Sequence, residues 1–237
     1  MKTIPFRFVA ALSFCLFLLN SQSTQAQTFV NFETNFGDIE IELFDLDAPL
    51  SVANFLGYVE RGDYDGTLFH RTQSVDANSS IAIVQGGGFL TDSSPIATLP
   101  PVVNEFSTDR LNVTGTIAYA RLEDPDSATS QFFFNTTDNP ALDTQLFTVF
   151  GEVTAGIDVV NQIQGLDVIT ATGATGVLAD LPVADATLGP AEILAEDNLV
   201  ILTQASVVVS VPEPTAAVVL AFGGVILSTR RRRTLTA

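Results

Sequence analysis

The 237-residue chain holds one cysteine, one histidine and a single lysine. Each scarcity closes a class of chemistry. Cys15 lies in an N-terminal apolar run, so a chain without that run has no thiol. Disulfides, thiol nucleophiles and cysteine-ligated metals are then excluded. With His70 the sole histidine, a zinc site built on several histidines is impossible, and a Ser-His-Asp triad would need that one residue. Positive charge is as scarce. Between residues 28 and 211 only Arg61, Arg71, Arg110 and Arg121 carry it, against 26 carboxylates, for a net charge of −22. Such a domain repels phosphate backbones, which argues against nucleic acid as a partner. The same charge keeps a protein soluble and suits a saline exterior. It could draw divalent cations weakly, though a solvated surface explains it as well. Hydrophobic residues make up 46% of the chain, enough for a packed core.

The two ends read as addresses. Met1 to Arg7 carry two positive charges, and Phe8 to Leu19 are apolar apart from Ser13. Thr24 and Ala26 then occupy the small-residue positions before Gln27. Residues 1–26 are therefore expected to be a secretory signal peptide; the apolar run is short against the ~20 residues of a membrane span. At the other end Pro212-Glu-Pro214 precedes an apolar stretch and the cluster Arg230 to Arg233. That order has the logic of a stop-transfer segment, with the arginines held inside. It resembles the PEP-CTERM sorting signal of certain Gram-negative bacteria, over residues 211–233. The resemblance implies a processing protease of the exosortase type and transient anchoring in the membrane. Delivery to the periplasm, the cell surface or the extracellular matrix would follow. A plain tail anchor is the alternative.

Residues 28–210 remain as one domain. Phe29-Val-Asn-Phe-Glu33 and Asp38-Ile-Glu-Ile-Glu-Leu43 alternate apolar and polar residues around Asn35-Phe36-Gly37, which predicts a β-hairpin. Pro49 opens a helical pattern, with Val52, Phe55, Leu56 and Val59 at three- and four-residue spacing, and Gly62 stops it. Strands are expected at 68–72, 81–85, 116–121, 131–135 and 147–153, a short helix at 158–163, and a terminal strand at 199–209. Residues 166–195, rich in Ala, Thr, Gly, Asp and Pro, read as a long surface excursion. Many short strands with two helices argue for a mostly β, closed antiparallel barrel with helical plugs.

Three blocks could carry chemistry: Leu68-Phe-His-Arg71, Gln85-Gly-Gly-Gly-Phe89, and Gly115 to Arg121 leading through Asp126 to Asn135. The glycines are no phosphate loop, because no Lys-Ser/Thr follows and no helix opens. Arg71 is a rare cation beside an apolar strand, either a salt-bridge partner or a functional guanidinium with five fixed donors. Gln85 and Gln131 are core amides or groove amides. Strand alternation forces Phe132, Phe133 and Phe134 onto opposite faces, so at least one leaves the interior. His70 points away from Arg71 and reads as structural. Asn78, Asn112 and Asn135 fit the glycosylation sequon, a pattern of little weight here.

In this order and spacing, the blocks, with Pro49-Leu-Ser-Val-Ala-Asn-Phe55 and the run Asp126 to Phe133, resemble the cyclophilin family of peptidyl-prolyl isomerases. The resemblance implies an eight-stranded β-barrel with two capping helices and a groove on its outer surface. It implies Arg71 as the catalytic arginine, Gln85 as the groove glutamine and Gln131 as a second amide beside it. Phe133 would floor the proline pocket, with Leu142 and Ile83 as walls, Ala120 beside the peptide backbone and Phe147 at the rim. It implies no cofactor and no metal. The partners would be proline-containing segments of exported proteins. The pattern departs from the family at Ala82 and Ile83, where Phe and Met are usual, at Ala141, where a large aromatic is common, and near Phe147, where many members carry His or Tyr. The segment 72–84 is also about six residues longer. These losses leave a second reading: a catalytically weak binding module on the same fold, displayed in an extracellular matrix. An acidic structural surface protein is a third.

Overall fold

The N-terminal alternation forms its hairpin. Strands β1 (Thr28–Thr34) and β2 (Gly37–Leu43) pair in antiparallel register around Asn35-Phe36. Val30, Phe32, Ile39, Ile41 and Leu43 are buried, while the residues between them face outward. The computed structural model describes residues 27–75, 79–173, 176–189 and 194–209. All lie in one unit, Gln27–Ser210. The expected signal peptide and sorting signal fall outside the described residues.

Helix α1 (Pro49–Arg61) starts with its proline in the first turn, where a missing N–H costs nothing. It buries Val52, Phe55, Tyr58 and Val59. Gly62 ends it at φ 69° and donates its N–H to Val59 O at 3.0 Å. The following strands are β3 (Thr67–Gln73), β4 (Ile83–Leu90), β5 (Thr116–Tyr119), β6 (Phe132–Asn135) and β7 (Val149–Ala155). A five-residue helix, α2 (Pro140–Thr144), precedes β7, and α3 (Ile157–Gln164) follows it. Strand β10 (Ile201–Val209) returns to close the barrel in the order β1-β10-β3-β4-β6-β5-β7-β2. The eight-stranded antiparallel barrel is therefore as expected. The short α2 is additional to the two helices anticipated.

The barrel core is aromatic. Phe32 and Phe132 rings lie 5.4 Å apart, and Phe55 and Phe150 lie 5.0 Å apart. Each such side chain contributes on the order of 1.5–3 kcal/mol through burial. Val160 and Ile163 bring α3 into the same cluster.

One expectation is overturned. The segment 166–195, expected as a long surface excursion, carries regular structure in its described residues. Strands β8 (Asp167–Gly173) and β9 (Gly176–Val183) form a separate two-stranded sheet. Leu178, Leu181 and Val183 pack with Leu199 and with Leu68 of β3. The pattern escapes sequence reading for two reasons. Small residues such as Ala171 fill inward positions, and a register shift between Ile169 and Ala171 breaks the alternation. No helix among the described residues is long and apolar enough to cross a membrane.

Candidate active site

Strand register builds the site. Arg71 of β3 pairs with Gln85 of β4, Gln85 with Phe133 of β6, Phe133 with Ala118 of β5, and Ala118 with Val149 of β7. These five residues form one row across five strands. Neighbouring strands sit ~4.8 Å apart, so Arg71 and Phe133 backbones are about 10 Å apart. Within the row, Phe133 faces outward while Phe132 and Phe134 join the barrel core. That is the alternation the sequence requires, with its sense now assigned.

The apolar end of the row is a cluster of its own. Ile83, Ala118, Phe133, Leu142 and Val149 are buried together, with Phe44, Ile81, Ala120 and Phe147 packed around them. Ile83 belongs there because it lies two residues before Gln85, on the same face of β4. Phe147 meets Phe133 nearly edge-on, with ring centroids 5.8 Å apart. The Arg121 guanidinium lies 4.4 Å over the Phe147 ring. Its terminal nitrogens donate to the carbonyls of Leu122, Glu123 and Gln145.

The polar end is a chain of amides. Gln85 Nε2 donates to Gln131 Oε1 at 2.8 Å. Arg71 Nη1 donates to Gln85 Oε1 at 3.4 Å, and Arg71 Nη2 to Gln73 Oε1 at 2.5 Å. Asp180 of β9 approaches Arg71 Nε to 3.8 Å. The glycine triplet has a packing role here. A Cβ on Gly88 would meet the Gln131 side chain at 2.8 Å, and one on Gly87 would meet Phe132 at 2.7 Å. Behind the row, His70 is buried against Phe89, and its Nδ1 has no hydrogen-bond partner among the described residues. Burial disfavours the imidazolium and the nearby Arg71 charge adds to this. Together they outweigh the Leu68 backbone and Gln131 side chain and hold His70 down to about 4.

A buried asparagine brace supports the walls. Asn139, at the start of α2, accepts from the Ala82 N–H at 3.0 Å and donates to Ala82 O at 3.0 Å. It also donates to Asn135 Oδ1 at 2.7 Å. Asn135 in turn donates to Asn112 and Thr116, and Asn112 donates to Asp143. The brace ties Leu142 on α2 to Ile83 on β4. Asn112 and Asn135 are fully buried, so neither sequon offers a glycosylation surface.

All eight expected site residues thus fall in this region: Arg71, Gln85 and Gln131 in the amide chain, and Ile83, Ala120, Phe133, Leu142 and Phe147 in the apolar cluster. The sequence pattern does not point to Gln73, Asp180 or Asn139. Arg121 had one signal, its rarity as a cation. Among the described residues no group of three His, Cys, Asp or Glu side chains is placed to hold a metal ion.

Comparison with known structures and sequences agrees with this architecture. A crystal structure of a cyclophilin-type peptidyl-prolyl cis-trans isomerase from Cryptosporidium parvum superposes with a TM-score of 0.57 at 21% identity, covering 79% of this chain and 100% of that one. The fold is therefore that of the cyclophilins. Residues 29–186 match the family model for cyclophilin type peptidyl-prolyl cis-trans isomerases. A peptidyl-prolyl cis-trans isomerase of Acinetobacter baylyi is 45% identical over 157 residues, 65% of this chain and 80% of that protein. Peptidyl-prolyl cis-trans isomerase B of Escherichia coli is 41% identical over 163 residues, 66% of this chain and 93% of that protein. The chain belongs to the cyclophilin-type peptidyl-prolyl cis-trans isomerase family.

Proposed function

We propose that this isomerase acts on Xaa-Pro bonds of exported proteins, with Arg71 assisting the twist of the amide. The observation that carries this is the row from Arg71 through Gln85 to Phe133. It sets a fixed cation about two strands from an apolar floor, the arrangement a proline ring and its preceding amide require. An Xaa-Pro bond interconverts slowly because amide resonance imposes a barrier of ~18–20 kcal/mol. Resonance keeps the prolyl nitrogen planar, so a donor to that nitrogen favours its pyramidal, twisted form. Arg71 supplies the donor, and each 1.36 kcal/mol gained only in the twisted state is about tenfold in rate. No bond to the protein forms. Phe133, Leu142 and Ile83 hold the pyrrolidine ring, Phe147 closes its rim, and Gln85, Gln131 and the backbone near Ala120 fix the peptide. Export rests on the signal-peptide and PEP-CTERM patterns at the ends, as does processing by an exosortase-type protease.

The test is cis–trans exchange in a short Xaa-Pro peptide, measured by NMR with the parent chain and with Arg71→Ala. Acceleration by the parent and its loss in the variant supports the reading. Ala82 and Ala141, in place of larger side chains, favour the second reading of a weakly catalytic binding module. That reading predicts peptide binding with no acceleration by a folded parent.

A further inference from the structure

Asp180 occupies an unusual position. Ile169 pairs with Leu181 and Ala171 with Leu178, so Ala179 and Asp180 together stand opposite Thr170. This is a β-bulge, a device that re-aims a side chain. At the bulge Asp180 adopts φ 60°, a left-handed conformation that residues with a Cβ seldom take. Two other non-glycine residues among those described share a positive φ, Ser93 and Leu146. Asp180 is the charged one of the three, and its ion-pair partner is Arg71 at 3.8 Å.

The hairpin that carries Asp180 is fixed to the strand that carries Arg71. Leu181, the next residue, packs in one buried cluster with Leu68 of β3. The carboxylate is therefore delivered by the fold. Stability does not explain the arrangement, because both side chains are substantially exposed, at 37% and 49%, and such pairs add little. Backbone strain of this kind persists where the surroundings over-determine it, and it concentrates at functional sites. Each nitrogen of the Arg71 guanidinium has a neighbour: Nη2 and Nη1 donate hydrogen bonds to Gln73 and Gln85, and Nε faces Asp180 as an ion pair, beyond hydrogen-bond reach. Each terminal nitrogen carries two N–H groups and has one acceptor among the described residues, which leaves one N–H on each for a substrate.

We propose that Asp180 is a positioning residue for the isomerase reaction. It fixes the Arg71 side chain through Nε and keeps this cation from wandering among the domain's 26 carboxylates. The proposal rests on the reading that Arg71 assists the isomerisation.

The experiment compares the full chain with Asp180→Asn, Asp180→Gly and Arg71→Ala. Asparagine keeps the shape and tolerates the left-handed backbone without the charge; glycine relieves the backbone. The readouts are kcat and KM on an Xaa-Pro peptide, the thermal midpoint, and the Arg71 Nε–Hε NMR resonance. Both Asp180 variants should melt no lower than the parent, lose about tenfold in kcat with KM little changed, and shift or broaden that resonance. Undiminished kcat in Asp180→Asn beside an inactive Arg71→Ala overturns the proposal alone. Undiminished kcat in Arg71→Ala overturns both the proposal and the reading beneath it.

Discussion

Replacing Asn139 with alanine tests the brace behind the proline pocket. The substitution removes three hydrogen bonds from a fully buried position. Their partners do not suffer equally. Ala82 O keeps a donor, the Thr136 N–H at 3.2 Å. The Ala82 N–H and Asn135 Oδ1 lose their bonds to the Asn139 amide. Each buried group stranded in this way costs about 1–3 kcal/mol. The expected loss is therefore about 2–6 kcal/mol, which for a domain of this size lowers the melting point by about 4–24 °C. Thermal and urea unfolding followed by circular dichroism measure it. Activity should fall through KM, because Leu142 and Ile83 lose the tie that sets their separation. Asn139→Asp refines the argument. A carboxylate still accepts from Ala82 but cannot donate, and its charge is buried; lowering the pH restores a donor and should recover part of the loss. A destabilisation below about 1 kcal/mol in Asn139→Ala would refute the reasoning, since the stranded groups would then be reaching water.

Two further outcomes follow from buried groups. His70 is held at about 4 in the folded chain, below its ordinary 6.5. The unfolded chain binds the extra proton between these values, so the stability tied to neutral His70 is fully present above pH 6.5 and is lost as pH falls toward 4. The loss is on the order of 3 kcal/mol. A His70→Gln chain should show a flatter stability profile between pH 5 and 6.5, measured by urea unfolding, and equal slopes in the two chains would contradict the assignment. Leu181 is 1% exposed where the hairpin meets β3. Leu181→Ala should cost about 2–5 kcal/mol in a single cooperative transition; a hairpin that frays alone, seen by hydrogen exchange, would show that it is not integral to the domain.

Much of the barrel is legible because its residues keep strict periods. Val30, Phe32, Ile39 and Ile41 alternate, and Val52, Phe55 and Val59 follow a helical spacing, so local pattern and tertiary burial agree. The three phenylalanines show the limit. Alternation says that one must leave the core, but only the pairing of Phe133 with Gln85 and Ala118 says which. The hairpin of β8 and β9 is illegible because Ala171 is a weak apolar signal at an inward position and a bulge interrupts the period. Asp180 is further out of reach. Its approach to Arg71 comes from packing between Leu181 and Leu68, which no local pattern encodes. Asn139 is hidden for a related reason, since its role exists only where α2 meets β4.

The row of register partners also sets rules for how this chain can vary in length. A one-residue slip in β4 or β6 would turn Gln85 or Phe133 into the barrel and bring a core side chain out in its place. Insertions are safe only where they leave the pairing alone. The segment between β3 and β4 and the hairpin between α3 and β10 both lie outside the row. Lengthening either changes what borders the groove without disturbing its order. Shortening or extending the paired segments themselves would dismantle site and barrel together, so a misregistered copy could not persist as a folded but inactive protein.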